Sequence, residues 1–341
     1  MKQLPSIIST DPLADAPEAA DHDEGVELSA ASEVRAFVIG AAEHGLRLDR
    51  ALAALVPEFS RSYLQQLIDA GMVEVQGRVL TKTSATVHAG EAGQIELRPT
   101  PQSQAFKPEP LALAVLYEDE HLRIIDKPVG LVVHPAPGHW SGTLLNGLLA
   151  LDPRAALLPR AGIVHRLDRD TSGLMVVARS RQAMDALVAS IAAREVKRQY
   201  LALAHRSWQG ARARHVDAPI GRDPRNRLRM AVVDLERHAG KTARTLVELL
   251  DGNEQGCAVR CTLETGRTHQ IRVHMASIGH PLVGDALYGG APAAGLTRQA
   301  LHAFRLEFAH PVTHEPMAFR SPPPPDLRQG FSEWGLDYNR A

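Results

Sequence analysis

A short polar run between two apolar segments carries the residues best suited to chemistry. Within GIVHRLDRDTSGLMVVARS, residues 162–180, the run at 165–172 holds Asp168 and Asp170 among arginines. Charged side chains in such a loop must be solvated, paired or bound to a ligand, because an unpaired buried charge is costly. Two carboxylates at this spacing could suggest a metal site or a glycosidase-like pair. The arginines oppose a divalent cation, so we predict no metal site. A charged surface hairpin without a catalytic role is the alternative.

Basic residues next to an aromatic ring form a second pattern. The segment REVKRQYLAL, residues 194–203, leads from a predicted helix into a predicted strand and places Arg194, Lys197 and Arg198 before Tyr200. This combination suits a nucleic-acid surface, since a ring can stack on a base while cations meet phosphates. A core tyrosine below a solvated basic turn is the alternative.

Two further segments could contribute polar groups. In IIDKPVGLVVHPAPGH, residues 124–139, a strand ends in a turn that could direct backbone donors and His134 to a ligand, although a plain strand–turn–strand is the simpler interpretation. In LETGRTHQIRVHMASIGHPLVGDALYGG, residues 263–290, alternating polar and apolar residues predict a strand over 269–274. Arg272, on the polar face of that strand, could pair with a carboxylate across a site.

An arginine-rich stretch, GRDPRNRLR at 221–229, is predicted to be a loop because Gly221 and Pro224 oppose a helix. Four arginines crowded on a short loop repel each other unless an anion lies between them, so we predict that this loop faces phosphate. A mobile, solvated basic loop is the alternative. The four arginines are Arg222, Arg225, Arg227 and Arg229, and the one acid among them is Asp223.

Strands dominate the elements that must position these segments. The pattern after Leu113 is mostly strand-like, with predicted helices at 144–150 and 181–193. Runs of strands with few helices indicate an α+β fold with a mixed, mainly antiparallel sheet, and not a doubly wound parallel one. The predicted strands cover residues 113–117, 122–126, 174–178, 200–204, 245–250 and 258–263.

A smaller unit precedes this sheet. Apolar spacing predicts a helix that starts near Leu48 and ends at Pro57, and a second helix from Arg61 to Ala70 that Ser60 can cap. A small hairpin sheet is predicted to follow. We divide the chain into a disordered acidic tail (1–33), this small unit (35–98), a proline-rich linker (99–110), a larger α+β domain (111–325) and a C-terminal tail (326–341).

Charge is unevenly distributed along the chain. The formal net charge is −1, but residues 1–34 contribute −7 and the remainder +6. An acidic head on a basic body fits a body that meets phosphates, with a solvated tail of no function as the alternative. The two cysteines, Cys257 and Cys261, indicate neither a disulfide framework nor a zinc site and suit a reducing cytoplasm. We find no apolar run of membrane-spanning length and no secretory signal.

The ordered motifs resemble those of a known enzyme family. HRLDRDTSGL, KRQYLAL and TGRTHQIRVHMASIGHPLVGDALYGG are similar, in that order, to RluA-type pseudouridine synthases, and IIDKPVGLVVHP and APIGRDPRNRLRMAV fit the same group. RLDRALA at 47–53, SRSYLQQLIDAGMVEVQGRV at 60–79 and the strand from Gly90 to Leu97 resemble an S-four-like RNA-binding domain. The resemblance covers about residues 35–325.

This resemblance implies an RNA pseudouridine synthase in which Asp168 is the catalytic group. It also implies that Tyr200 packs under the target base and is the base for the final proton transfer. Arg272 is then the partner of Asp168, and Arg166 takes the place of the flipped-out base. No cofactor is expected, because the reaction involves neither redox chemistry nor transfer to a second molecule. The expected RNA contacts come from His165, Arg166, Arg267, Arg47, Arg50, Arg61, Arg222, Arg225, Arg227 and Arg229.

The implied substrate is ribosomal RNA, because the chain most resembles family members that act on the 23S RNA of the large subunit. Pre-ribosomal particles are expected as further partners, with no membrane partner and a monomeric protein. Alternatives are a transfer-RNA target, a non-catalytic RNA-binding assembly factor, and a hydrolase that uses Ser172, His165 and Asp168. The intact Asp168, Tyr200 and Arg272 argue against the binder. No strand–turn–helix elbow surrounds Ser172, which argues against the hydrolase.

Overall fold

A computed structural model describes residues 33–57, 59–97, 105–136, 138–226 and 228–340. The predicted acidic tail lies outside these residues, apart from Glu33. The described chain divides into two compact units, the first ending at Lys107 and the second beginning at Pro108. No helix in the described ranges is long and apolar enough to cross a membrane.

The first unit packs two helices on a four-stranded antiparallel sheet of order β1-β4-β2-β3. Its core holds apolar side chains from both helices, among them Leu48, Leu52, Leu64 and Ile68. Ser60 caps the second helix by accepting from the Tyr63 N–H, as predicted. The elements are β1 (Glu33–Val38), α1 (Leu48–Leu55), α2 (Arg61–Asp69), β2 (Val73–Val75), β3 (Arg78–Val79) and β4 (Ala92–Leu97).

Strand β1 is not predicted by the sequence patterns. It forms one edge of the sheet, where Phe37 is buried while Val34 and Val38 are 60 % and 61 % exposed. An edge strand that buries little of its apolar surface lacks the clean alternation by which strands are recognised.

A buried carboxylate organises two of the arginines that we expect to contact RNA. Asp49 is fully buried and accepts hydrogen bonds from Arg47 Nε (3.1 Å), Arg61 Nη2 (2.7 Å) and Gln65 Nε2 (2.7 Å). Burial would raise the pKa of Asp49, but these three hydrogen bonds hold it well below its ordinary value. Arg47 and Arg61 remain about half exposed, so Asp49 fixes their orientation at the surface. Arg50, one turn along, is exposed.

The second unit is built on a nine-stranded sheet of order β5-β6-β7-β15-β8-β14-β13-β9, with β16 paired to β15. Among the described strands only β7 and β15 run parallel, which confirms the predicted mixed, mainly antiparallel α+β fold. The strands are β5 (Ala114–Glu118), β6 (Leu122–Lys127), β7 (Ser172–Ala178), β8 (Lys197–His205), β9 (Ala213–Asp217), β10 (Ile220–Arg222), β11 (Met230–Val232), β12 (Gly240–Lys241), β13 (Arg244–Gly252), β14 (Gly256–Leu263), β15 (Leu301–Ala309) and β16 (Pro316–Arg320).

Four α-helices in the described part of this unit accompany the sheet, and β10, β11 and β12 form a separate three-stranded sheet. Thr143 caps α3 through a reciprocal capping box with Asn146, and Ser180 caps α4 by accepting from the Ala183 N–H. The helices are α3 (Leu144–Leu151), α4 (Arg181–Ala192), α5 (Gln270–Ser277) and α6 (Pro325–Glu333).

The strand predicted over 269–274 is wrong, because α5 begins at Gln270. His269 has a left-handed backbone (φ 56°) that turns the chain into the helix. All six residues from Gln270 to Met275 are buried, so polar side chains lie on every face of the first turns. Alternation over six residues cannot separate a strand from a short helix whose polar groups are all paired inside the protein.

The C-terminal segment is not a peripheral tail, contrary to prediction. Leu327 and Phe331 of α6 are fully buried and pack with Leu336 against Leu201 and Leu203 of β8. The proline run that suggests a domain end in fact starts this helix, since proline is well tolerated in a first helical turn.

Candidate active site

The loop that carries Asp168 is fixed by a buried lysine. Lys127, at the end of β6, is fully buried, and its Nζ donates to the carbonyl oxygens of Pro128 (2.9 Å), Leu131 (2.9 Å) and Arg169 (2.8 Å). The Gly130 N–H donates to the same Arg169 carbonyl at 2.9 Å. Burial lowers the pKa of Lys127 to about 7. The sequence motif predicts a turn here but gives Lys127 no function.

We expect Lys127→Met to disable the site without touching Asp168. The substitution leaves carbonyl oxygens unpaired, each at about 1–3 kcal/mol, and frees the loop to move. Turnover should fall by roughly 10²-fold, because misplacement by about 1 Å can have that effect. Single-turnover kinetics and thermal unfolding measure the two consequences. Wild-type turnover in this variant would contradict the positioning role.

Asp168 lines a cavity of about 360 Å³, and Tyr200 and Arg272 line the same cavity. The structure therefore brings together the three residues expected to be catalytic. They come from the loop before β7, from β8 and from α5. Thr171 donates its backbone N–H to the Asp168 carbonyl at 3.1 Å, which closes the turn around the carboxylate.

Two acidic residues share the guanidinium of Arg272. Its Nη1 donates to Asp168 Oδ2 at 3.0 Å, while Nε and Nη2 donate to Asp285 at 2.8 and 2.9 Å. The guanidinium also lies 5.0 Å from the ring centre of Tyr288. Asp285 is almost fully buried and holds Arg272 with the two-pronged geometry that fixes orientation. The sequence motif includes Asp285 and Tyr288, but neither is predicted to take part.

Neighbouring cations keep Asp168 ionised. Burial would raise the pKa of this carboxyl, but the charges of His269, Arg272 and Arg166, together with the Arg272 hydrogen bond, hold it below its ordinary value. His269 Nε2 lies 4.0 Å from Asp168 Oδ1, and its Nδ1 lies 2.8 Å from the Tyr288 hydroxyl. A nucleophilic or electrostatic function needs this charged form.

Tyr200 is a buried phenol on the same face of β8 as Arg198. Only 4 % of the residue is exposed, and burial raises its pKa to about 12, although the charge of Arg198 opposes the shift. The phenol is therefore neutral at neutral pH. It offers a flat face and an O–H group to a ligand in the cavity.

The residues expected to bind RNA fall into separate groups. His165, Arg166 and Arg267 line the cavity, and Arg166 is exposed. Arg222 ends β10, and Arg227 lies outside the described residues.

The arginine-rich loop reaches the site through Tyr288. Asp223 accepts hydrogen bonds from Arg229 Nε (2.6 Å) and from the Arg225 N–H (2.8 Å). The loop therefore supplies one of the negative charges that its crowded arginines require. The Met230 N–H donates to the Tyr288 hydroxyl at 3.1 Å, which joins the end of this loop to the residues around Asp168.

The hydrolase arrangement is not formed. Ser172 lies 2.9 Å from His302 Nδ1, inside the protein, and not beside His165. His165 Nε2 instead accepts from the Val176 N–H at 3.1 Å. A serine nucleophile needs an accessible hydroxyl beside its base, and Ser172 is only 4 % exposed.

Known protein families match both units. Residues 121–277 match the RNA pseudouridylate synthase family, and residues 46–92 match the S4 domain. A Xanthomonas campestris protein named ribosomal large subunit pseudouridine synthase D is 47 % identical over 324 residues, covering 91 % of this chain and 95 % of that protein. Its namesake from Pseudomonas aeruginosa is 47 % identical over 296 residues, covering 83 % and 90 %.

Solved structures agree with this relationship. Human RNA pseudouridylate synthase domain containing 1 is 27 % identical with a TM-score of 0.50, covering 63 % of this chain and 86 % of that chain. Human RNA pseudouridylate synthase domain containing 4 shares the fold at 22 % identity and a TM-score of 0.52, covering 66 % and 94 %. From the long matches to relatives above 40 % identity, we conclude that the chain belongs to the RNA pseudouridine synthase family.

Proposed function

We propose that this protein converts specific uridines to pseudouridine in the RNA of the large ribosomal subunit, with Asp168 as the catalytic carboxylate. The names of the bacterial relatives support the substrate. The observation that carries the proposal is the ionised Asp168, held by the Arg272–Asp285 pair in a cavity that Tyr200 also lines.

The proposed chemistry follows from these groups. The uracil N1–C1′ bond must break, the base must turn, and a C5–C1′ bond must form. An ionised carboxylate can attack the sugar or the base, or assist loss of the 2′ proton. Tyr200 would support the base by its ring, and Arg166 would fill the gap that the extruded nucleotide leaves.

The arginines at the surface would hold the surrounding RNA. Asp49 presents Arg47 and Arg61 in a fixed orientation in the first unit, which favours phosphate contact because little side-chain freedom is then lost on binding. In the second unit, Arg225 is exposed on the loop that Asp223 braces. The proposal includes a monomer that acts in the cytoplasm, on free RNA or on pre-ribosomal particles.

Both units should contribute to the salt dependence of RNA binding. We expect Arg50→Ala and Arg225→Ala each to reduce the slope of log Kd against log salt by about one unit, if each arginine neutralises one phosphate. Arg181→Ala is the control, because Arg181 is exposed but pairs with Asp185. Filter binding of large-subunit RNA at several salt concentrations measures the slopes. Equal slopes in all four proteins would place these arginines away from the RNA.

Pseudouridine mapping of total RNA from cells with and without the protein tests the proposed function directly. We expect sites in large-subunit RNA to disappear with the gene and to return with the wild-type protein but not with Asp168→Asn. Loss confined to transfer RNA would replace the proposed substrate. Unchanged maps would contradict an enzymatic function.

A further inference from the structure

Two buried nitrogen donors without partners belong to residues that line the active-site cavity. Four buried side-chain polar atoms of the described residues lack a hydrogen-bond partner. Two of these atoms, His165 Nδ1 and Arg198 Nε, belong to residues that line the cavity containing Asp168. Buried polar groups are normally hydrogen-bonded, so two unpaired donors at one cavity indicate an acceptor that comes from a ligand.

The hydrogen-bond network defines the donor on His165. Because Nε2 accepts from the Val176 N–H, the ring proton belongs on Nδ1. Burial, helped by the charge of Arg198, lowers the pKa of His165 to about 3, so the ring is neutral. His165 therefore presents one uncharged N–H donor.

Arg198 supplies the charge. It is only 6 % exposed, and among the described residues it forms no ion pair with a carboxylate. Its guanidinium packs against the backbone of Gly266, where an added Cβ atom would lie 2.7 Å from Nη1. Asp168 lines the same cavity but pairs with Arg272. An unpaired buried cation is unfavourable in the free enzyme, and such a cost is typical of functional sites.

Because Arg198 is buried, the target base is a better candidate for its ligand than a phosphate of the RNA backbone. Arg166 and Arg194 also line the cavity but are exposed, as contacts to a solvated backbone require. Arg198 is buried two residues before Tyr200 on the same strand face, at a spacing of about 7 Å. A base that packs on the Tyr200 ring would bring its carbonyl edge within reach of Arg198.

We infer that Arg198 and His165 bind a carbonyl oxygen of the target uracil and stabilise the negative charge that the base acquires as its glycosidic bond breaks. This inference rests on the proposed function. When the N1–C1′ bond breaks, both electrons go to the base, and the charge spreads over N1, O2 and O4. C5 then bonds to C1′, the C5 proton leaves, and N1 takes up a proton, so the reaction balances as an isomerisation. Fixed donors aimed at a developing oxyanion accelerate such a step.

The first test replaces Arg198 by methionine. The probe is unmodified 23S RNA transcribed in vitro, and nucleoside mass spectrometry measures single-turnover conversion at saturating enzyme. We expect the rate to fall by about 10²-fold, as for loss of one oxyanion donor. RNA Kd and its salt slope should stay as in the wild type. The melting temperature should stay equal or rise, because an unpaired buried charge is removed.

Arg305→Met is the matched control. Arg305 is the other arginine with a buried, unpartnered Nε, but it lies on β15 and does not line the cavity. It should keep wild-type conversion. A second variant, Gly266→Ala, should displace the Arg198 guanidinium and lower the rate. The double variant with Arg198→Met should then be no slower than Arg198→Met alone, since both changes act through one group.

The second test uses 23S RNA transcribed with 5-fluorouridine and follows the loss of that nucleoside by mass spectrometry, because fluorine at C5 cannot leave as the C5 proton does and no pseudouridine forms from it. Fluorine withdraws electrons and makes the departing base a more stable anion. On unmodified RNA the wild-type rate exceeds the Arg198→Met rate by a certain ratio, and we expect that ratio to be at least about tenfold smaller on the fluorinated RNA. An equal ratio on both RNAs overturns charge stabilisation. A reduced salt slope and raised Kd with an unchanged saturated rate assign Arg198 to a phosphate instead. Absence of pseudouridine from unmodified 23S RNA treated with the wild-type enzyme would defeat the proposed function itself.

Discussion

We expect replacement of Asp168 by asparagine to abolish pseudouridine formation while RNA binding persists. The substitution keeps nearly the same shape and removes the charge that the surrounding cations maintain. We expect turnover to fall by at least roughly 10³-fold, as when other enzymes lose a nucleophile. RNA affinity should be equal or slightly higher, because one negative charge leaves a surface that meets phosphates. Discontinuous assays of pseudouridine content and filter binding measure the two quantities.

Asp170→Asn is the matched control for this change. It removes the same charge from the same loop, but Asp170 forms only a partly exposed pair with Arg169. Such pairs contribute about 0–1 kcal/mol, so turnover should stay within roughly fivefold of the wild type. Multiple turnover by purified Asp168→Asn, freed of wild-type enzyme, would remove Asp168 from the catalytic role.

Substitution of Arg272 by methionine should damage both stability and turnover. It leaves the nearly fully buried Asp285 without its partner, and loss of one member of a buried pair costs about 3–5 kcal/mol. It also removes the cation that orients and ionises Asp168. Chemical denaturation gives the change in the free energy of unfolding, and single-turnover assays give the change in rate.

A double variant separates these two effects. In Arg272→Met with Asp285→Asn no uncompensated charge remains at position 285, so most of the lost stability should return while turnover stays low. Recovery of turnover together with stability would mean that Arg272 acts only through folding.

The pH dependence of turnover supplies a second readout for Arg272. In the wild type, Asp168 stays ionised as pH falls until its folded-state pKa, which lies below the ordinary value of an aspartate, is reached. Without Arg272, one of the cations that oppose the effect of burial is gone, so the pKa of Asp168 should rise. The acid limb of the pH–rate profile should therefore move to higher pH. The depressed pKa of Asp168 also stabilises the folded protein at pH values above the pKa of the unfolded state. That stabilisation is lost as pH falls through the pKa of the folded state. An acid limb at the same pH in the Arg272 variant would contradict this account.

The three residues that meet at the cavity could be predicted from the sequence because each lies in a distinctive motif, and the motifs occur in a characteristic order. It also predicted the strands and caps that depend on local patterns, such as Ser60 at the start of α2. Local pattern was insufficient at 269–274, where a helix buried on all sides mimics strand alternation. The wrong element did not affect the predicted pairing of Arg272 with Asp168, since a strand or a helix at this place could bring Arg272 to the site.

The supporting residues could not be predicted from spacing. Lys127 and Asp285 owe their functions to partners 42 and 13 residues away along the chain. Each of these contacts joins segments that only the folded chain brings together, and a lysine after IID or an aspartate after VG can have many other partners. The buried apolar face of α6 could likewise not be predicted, because the proline run before it can either end a domain or begin a helix.

The position of β15 makes the active site depend on a strand that lies far along the chain from the catalytic loop. This strand, residues 301–309, lies between β7 and β8, so the strands before it in the chain form two separate halves of the sheet. Asp168 precedes β7 in one half and Tyr200 belongs to β8 in the other. Within the sheet, the two halves are joined through β15, so the carboxylate and the phenol share one frame only when this much later strand is in place. A change that loosens β15 should therefore separate Asp168 from Tyr200, although neither residue is altered.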